Sequence, residues 1–470
     1  MSLVWAALAL AAAPPAVAQP AQHDELLIIA PHALAPALAD FLAFKQARLP
    51  AELVELESAL AAGKGPDDPE RLKAFLYERW KGGRAPLGYV LLVGDADIMP
   101  VRYMVLDRNT DAAFNYAFYP SDLYYADLAK PDGSFENWNG TTGEPGKPDE
   151  AFHAAYFGEV RGEHFKSDPI NYDHIDYKPE IGVGRWPVNT SDEVRIVAAK
   201  TIAYEKSLDA RAGKADHSPV GLIASGGWIE NRGAMDGLAS RLGQSWDVQR
   251  RYWGRAEGAD TLPPPDEAHV IELLNSGVQL ILHSGHGSDD SWAGAISTRS
   301  IAKLHNDATP AIMMSAGCST ARLATLPPYE PYIDANGHEH KGTNAGELFS
   351  TPPPPPSAYQ RGTCNPTGLG EQLLRAGPTG VVAYIGCNTG SQPCGMTLVE
   401  GLVDAIARRS ASASEPVRLG DCWKDAQAYY YDHQHLGTIT PTPDWYPASI
   451  FFQGMKFMLY GDPSIPIAPR

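Results

Sequence analysis

The feature that most narrows the fold is a short apolar run that stops on glycine or a polar residue. It occurs as "LGYVLLVGD" at 87–95, "VQLILHSG" at 278–285, "PAIMMSAG" at 310–317 and "GVVAYIG" at 380–386. Continuous runs of this length, without polar alternation, belong to strands covered on both faces, as in parallel sheets. Helical spacing precedes each of them: residues 69–81, then "VIELLNSG", "SIAKLHND" and "GLGEQLLRAG". Strand, helix, strand in that order implies parallel pairing through right-handed crossovers.

"ELLIIAP" (25–31), "PEIGVGRWPV" (179–188), "VGLIAS" (220–225) and "KFMLYGDPSIP" (456–466) read as further strands. Residues 35–62, 191–208, 233–247 and 396–409 read as helices, the second opened by a Ser/Asp cap signal. The polar stretch "DARAGKADHSP" near residue 212 suggests a boundary between two adjoining α/β subdomains, 25–211 and 212–470. Each is expected to hold a mostly parallel sheet flanked by helices. An acidic excursion at 121–180 and a proline-rich insert at 325–361 interrupt the pattern. The insert follows a candidate nucleophile closely and its prolines disfavour helix and central strand, so a mobile flap is expected there.

The 470 residues carry a net charge of −18 and no basic run, which argues against nucleic acid and anionic lipid as partners. The N-terminus, "MSLVWAALALAAAPPAVAQP", is too short in its apolar stretch for a bilayer span. With Ala16-Val17-Ala18 it fits a secretory signal peptide, residues 1–18, although no Lys or Arg occurs before Lys45. Export to the periplasm or medium is the expectation. No later segment is long enough for a membrane span. The five cysteines leave at least one thiol outside any intramolecular disulfide. Two disulfides among Cys364, Cys387, Cys394 and Cys422 would leave Cys318 free, and all five reduced is equally compatible.

In an open parallel sheet, ligands sit beyond the carboxyl ends of the strands. His283, His286 and Cys318 all fall at such ends, on two runs that can be neighbours. An imidazole beside a thiol can take its proton, and the thiolate can then attack a carbonyl. Gly285 and Gly287 would let the chain bend around His286 and leave an N–H facing a developing oxyanion, a stabilisation of about 3 kcal/mol per donor. The plainer alternatives are an inert buried thiol, a hydrogen-bonded strand-end histidine, or a zinc site that lacks a clear fourth ligand.

"GHGSDDSWAG" followed by "MMSAGCS" resembles the gingipain-type cysteine peptidases, relatives of caspases and legumains. "LGYVLLVGDADIMP", "SDLYYADL", "PEIGVGRWPV", "VGLIASGG", "GPTGVVAYIG" and "MLYGDPSIPI" resemble family segments in the same order, covering most of 25–470. The resemblance implies a caspase-like α/β fold and an endopeptidase acting on protein or peptide substrates through a thioester acyl-enzyme. It makes His286 the base and Cys318 the nucleophile, with the N–H groups of Gly287 and Cys318 as oxyanion hole. His283 keeps a structural role.

The sequence departs from the family where a Glu is expected after the "IAS" strand. Ser225-Gly226-Gly227-Trp228 stands there, and the nearest acid is Glu230, a displaced candidate third member. The insert is another departure, and neither the long pro-segment nor the immunoglobulin-like C-terminal domain of the gingipains is expected from the sequence. No cofactor is expected for the chemistry. The resemblance implies a structural Ca²⁺ site, for which the acidic excursion offers the hard oxygens of Asp122, Asp127, Asp132, Glu136 and Asn139 without EF-hand spacing or a defined ligand set; solvated surface carboxylates are the plain reading. In "NRGAMDGLAS", Asp236 matches the place of the carboxylate that selects arginine before the scissile bond, or is an ordinary charge near a helix N-terminus. A catalytically inactive binding module on the same fold is the alternative to the enzyme.

Overall fold

The computed structural model describes residues 24–83, 85–105, 117–138, 175–212, 217–227, 229–254, 262–350, 353–412, 416–440 and 448–467. The expected cleavage after Ala18, Asn139, and most of the acidic excursion lie outside the described residues.

Ten strands form one sheet. In chain order they are β1 (Glu25–Ala30), β2 (Ala51–Glu55), β3 (Leu87–Val93), β4 (Gly182–Trp186), β5 (Ser218–Ala224), β6 (Trp246–Tyr252), β7 (Leu280–Ser284), β8 (Ala311–Ser315), β9 (Val381–Cys387) and β10 (Phe457–Gly461). Across the sheet the order is β2-β1-β3-β4-β10-β9-β8-β7-β5-β6. All neighbouring pairs are parallel except β9 with β10. The two expected parallel sheets are therefore two halves of one sheet, running in opposite directions and joined by the last strand. β10 pairs parallel with β4 through Tyr460 and Arg185, and antiparallel with β9 along its whole length.

With a side-chain period of two and helices on both faces, successive positions of the central strands are apolar, Arg185, His283, Ser284 and Ser315 near their carboxyl ends aside. Leu27, Ile29, Val90, Leu92, Leu280, Leu282, Ile312 and Met314 pack on one face, against helices Asp68–Gly82, Arg232–Leu242, Met396–Ser412 and Leu419–His433. Leu26, Ile28, Leu91, Val93, Ile281 and Met313 pack on the other, against Ala39–Gln46, Ser191–Arg211, Glu267–Asn275 and Leu369–Arg375. Each such side chain contributes ~1.5–3 kcal/mol by leaving water. Helix Ser191–Arg211 starts where expected, but its cap lies one residue before the Ser/Asp signal. Thr190 is the N-cap, accepting from the Glu193 N–H while the Glu193 carboxylate takes the Thr190 N–H, a capping box.

The 35–62 stretch breaks into a 3₁₀ turn, two helices and β2, and the 233–247 helix ends at Leu242 before β6. The insert is also not the free flap expected. Tyr332–Ile333 pairs with Glu339–His340, the Tyr332 ring stacks on His340 at 4.6 Å, and Gln360 is fully buried against Ile333. Its far end returns to the first half of the molecule. The Ala358 carbonyl accepts from the Val101 N–H, and the Tyr359 hydroxyl donates to Asp68.

Candidate active site

β7 and β8 are adjacent and parallel, with His283 opposite Ser315. Their carboxyl ends emerge side by side, so the Gly285–His286–Gly287 turn lies against the Gly317–Cys318 turn. The approach is close enough to exclude side chains. A Cβ on Gly285 would fall 2.0 Å from the Ser225 hydroxyl oxygen. One on Gly287 would fall 2.8 Å from the Cys318 carbonyl oxygen and 3.2 Å from its nitrogen. His286 and Cys318 line one cavity, with Gly227, Ile229, Asn231, Ser284, Gly285 and Ala316 from this side, and Ser391, Gln392, Pro393 and Met396 from the other.

Cys318 is half-buried, and the next residue, Ser319, has φ 56°, an uncommon conformation for a side-chain-bearing residue that turns the chain sharply behind the thiol. The Ser319 N–H donates to the Thr389 carbonyl at 2.8 Å, which ties this turn to the segment after β9. From that segment the Ser391 N–H donates to the Cys318 sulfur at 3.3 Å, and the thiol donates to the Ser391 carbonyl at 3.6 Å. All five cysteines are free thiols. Burial pushes the Cys387 thiol up to about 12 and raises Cys364, Cys394 and Cys422.

The two histidines have different surroundings. His286 is exposed at the cavity mouth. His283 is fully buried, stacked on Trp292 at 4.1 Å, with one ring nitrogen on the Ser315 hydroxyl and the other on the Ser225 hydroxyl, each at 2.8 Å. Burial without a charged partner pulls its pKa down to about 3, so it is neutral and fixes the strand end that carries His286.

Glu230 and Asp236 are not brought to the cavity lining. Glu230 is exposed and folds back on Arg232, accepting from its backbone N–H at 2.9 Å and from its guanidinium at 2.9 and 2.7 Å. Its neighbour Asn231 is the residue that reaches the site. Only 1 % exposed, it donates to the Ser284 carbonyl at 2.7 Å and accepts from the Trp253 indole at 3.0 Å. Asp236 sits in helix Arg232–Leu242 and its carboxylate accepts from Arg250 at 2.7 Å and from the Tyr252 hydroxyl at 3.1 Å.

The acids considered for calcium serve other partners. Asp122 takes both oxygens to Arg185, Asp127 accepts from the Trp138 indole, Asp132 holds Ser134, and Glu136 accepts from the Trp138 N–H. Among the described residues, no group of three or more His, Cys, Asp or Glu is arranged to hold a metal ion.

Asn231, Ser391 and Gln453, whose buried amide donates to the Ser391 hydroxyl at 2.8 Å, have no motif to announce them. Ser391 had a positional signal only, since it follows a fourth apolar run at its carboxyl end.

The family described as Peptidase family C25 matches residues 19–468. Comparison with curated proteins gives no significant match. Among solved structures, the Arg-specific cysteine proteinase gingipain R is similar with a TM-score of 0.60 at 16% identity, over 96% of this chain and 80% of that one. The complex of the pro- and mature domains of the Porphyromonas gingivalis enzyme gives 0.55 at 16% identity, over 95% and 80%. A further structure described as a protease gives 0.56 at 16% identity, over 94% and 78%. At these identities the likeness is one of fold.

Proposed function

Since this chain belongs to peptidase family C25 and is a cysteine-type peptidase, we propose that it cleaves peptide bonds with Cys318 as nucleophile and His286 as general base. The observation that carries this is that the two residues, 32 apart in sequence, line one cavity from adjacent parallel strands. The imidazole takes the thiol proton, and the thiolate adds to the substrate carbonyl. The resulting oxyanion lies by the N–H groups of Gly287 and Cys318, whose turns are in contact. Collapse of the tetrahedral intermediate passes the proton from His286 to the leaving amine and leaves a thioester on Cys318. Water, deprotonated by the same imidazole, adds to the thioester, and the thiol is regenerated as the acid departs. No third residue is assigned to His286: Glu230 is engaged by Arg232.

The test is a peptide probe carrying a thiol-reactive group. It should label Cys318 in the native protein and fail with Cys318→Ala; equal labelling of both would refute the assignment.

Two finer readings accompany this one. Export rests on the apolar leader ending in Ala16-Val17-Ala18, and among the described residues no helix is long and apolar enough to cross a membrane. N-terminal sequencing of the protein recovered from the medium or periplasm should begin near Gln19; a retained leader would refute cleavage. Preference for arginine rests on Asp236 and requires a substrate guanidinium to replace that of Arg250 on its carboxylate. A peptide library cut after arginine by the wild type, but not by Asp236→Ala, would support it. A profile that Asp236→Ala leaves unaltered would dismiss it.

A further inference from the structure

The Cys318 sulfur has a protein partner that the dyad does not include. We propose that the segment Gly390–Gln392 is a third arm of the site, in which the Ser391 N–H holds the Cys318 sulfur and Gln453 holds Ser391. The inference rests on Cys318 being the nucleophile, as proposed above.

Ser391 touches the sulfur twice. Its carbonyl accepts from the thiol at 3.6 Å, and its N–H donates to the sulfur at 3.3 Å. When the proton leaves for His286, the first contact ends and the second becomes a charge-assisted bond, which is the stronger kind. A backbone donor aimed at the sulfur thus favours the thiolate over the thiol.

A donor can do this only if it is held in place, and the segment is held from below. Gln453 is fully buried at the C-terminal end of helix Ala448–Gln453. Its amide nitrogen donates to the Ser391 hydroxyl at 2.8 Å, and its amide oxygen accepts from the Gln392 N–H at 3.2 Å. One side chain therefore grips two successive residues, holding Ser391 by its hydroxyl and the following peptide by the Gln392 N–H, while the peptide that carries the Ser391 N–H is held at the Gly390 carbonyl. On the other side, the Lys456 ammonium donates to the Gly390 carbonyl at 3.4 Å. Gln453 is a positioning residue, since it acts only through Ser391. The arm occupies no part of the region where Glu230 was expected, so it does not replace an acid on the histidine. It acts on the nucleophile instead.

The groups that face the Cys318 sulfur electrostatically are Lys456 and Cys387, with His286 across the cavity. Substitution at Gln453 or Ser391 leaves all three in place. The experiment follows alkylation of Cys318 by iodoacetamide against pH, read by peptide mass spectrometry, in the full chain and in Gln453→Met and Ser391→Ala. Met fills the glutamine volume but makes neither hydrogen bond; Ala cuts the same link from the other end. The midpoint of the alkylation profile is expected to rise by about one pH unit in Gln453→Met and by less in Ser391→Ala. kcat is expected to fall about tenfold, with KM changed by less than about twofold. A purely structural role would lower the melting temperature and leave the midpoint alone. Should Gln453→Met not fold, Ser391→Ala reads the same bond. A reactive Cys318 whose midpoint ignores both substitutions would overturn the third arm alone. A wild-type Cys318 that neither alkylates nor supports turnover would remove the peptidase reading and this proposal with it.

Discussion

The two half-sheets end differently at the edge where ligands of parallel sheets bind. In the first half, the carboxyl ends of β3 and β4 are sealed. Arg185, fully buried, donates to both oxygens of Asp122 at 2.8 and 2.7 Å and to the carbonyls of Gly94 and Pro100. Arg375 reaches across to the buried Asp95 at 2.9 Å. In the second half, the ends of β7 and β8 carry glycine turns, a half-buried thiol and an exposed imidazole around a cavity. The same rule of sheet topology offers two places for chemistry, and ion pairs close one of them. What marks the second as the candidate site is that, among the described residues, no ion pair closes it and its side chains need solvent access to react.

The largest effects should come from the open end. On the proposed mechanism Cys318→Ala should remove the covalent route, and His286→Ala base assistance worth ~10²–10⁴ in rate; both should leave the far-ultraviolet circular dichroism unchanged. Steady-state kinetics on any cleaved peptide decides this. Retention of activity in either variant would put the chemistry elsewhere.

At the sealed end the expected loss is of stability, not turnover. Arg185→Met leaves Asp122 buried without its cation, at a cost of about 3–5 kcal/mol. Urea unfolding should show that decrease, while labelling of Cys318 persists under folding conditions. Loss of labelling in a folded Arg185→Met would mean that the two ends are coupled.

His283 separates the two behaviours within a single turn. Burial pulls its pKa down to about 3 in the folded chain from the ordinary 6.5, so below the higher value the unfolded chain binds a proton that the folded one does not. Stability from this group is complete above pH ~6.5 and falls by about 1.4 kcal/mol per pH unit as pH decreases toward 3. His283→Gln should flatten the stability profile between pH 6 and pH 4 by about one proton. An unchanged slope would show that another group carries it. The smallest effect is expected for Glu230→Ala: this exposed carboxylate pairs only locally, so kcat/KM should stay within about twofold. A loss near that of His286→Ala would restore Glu230 as a third member.

How much was legible follows the same division between covered and exposed. β3, β7, β8 and β9 read directly from sequence because helices cover both their faces, so polar residues enter only at the carboxyl ends, as with His283, Ser284 and Ser315. β2 and β6 did not, since both are edge strands. "AELVE" and "WDVQRRY" are half-exposed along most of their length and resemble the helical spacing beside them. The joining of two half-sheets by β10 was invisible because pairing partners more than 200 residues apart leave no local periodicity. His286, Cys318 and their glycines stood out since the turns demand those residues at fixed offsets from a strand end. Ser391 did not, since it acts through its backbone and any residue but proline supplies an N–H. The insert was misread because prolines rule out regular structure without ruling out packing: Tyr332 and Gln360 are fully buried inside it.

The central claim is that only the open end of the second half-sheet presents a reactive nucleophile. It is tested most directly by treating the native protein with limiting iodoacetamide near neutral pH and mapping the adduct among the five cysteines. Cys387 and Cys422 are buried with raised thiol pKa values, and Cys364 and Cys394 are raised as well, so modification should fall on Cys318 and disappear with Cys318→Ala. Preferential modification of any other cysteine, with Cys318 intact, would contradict the account.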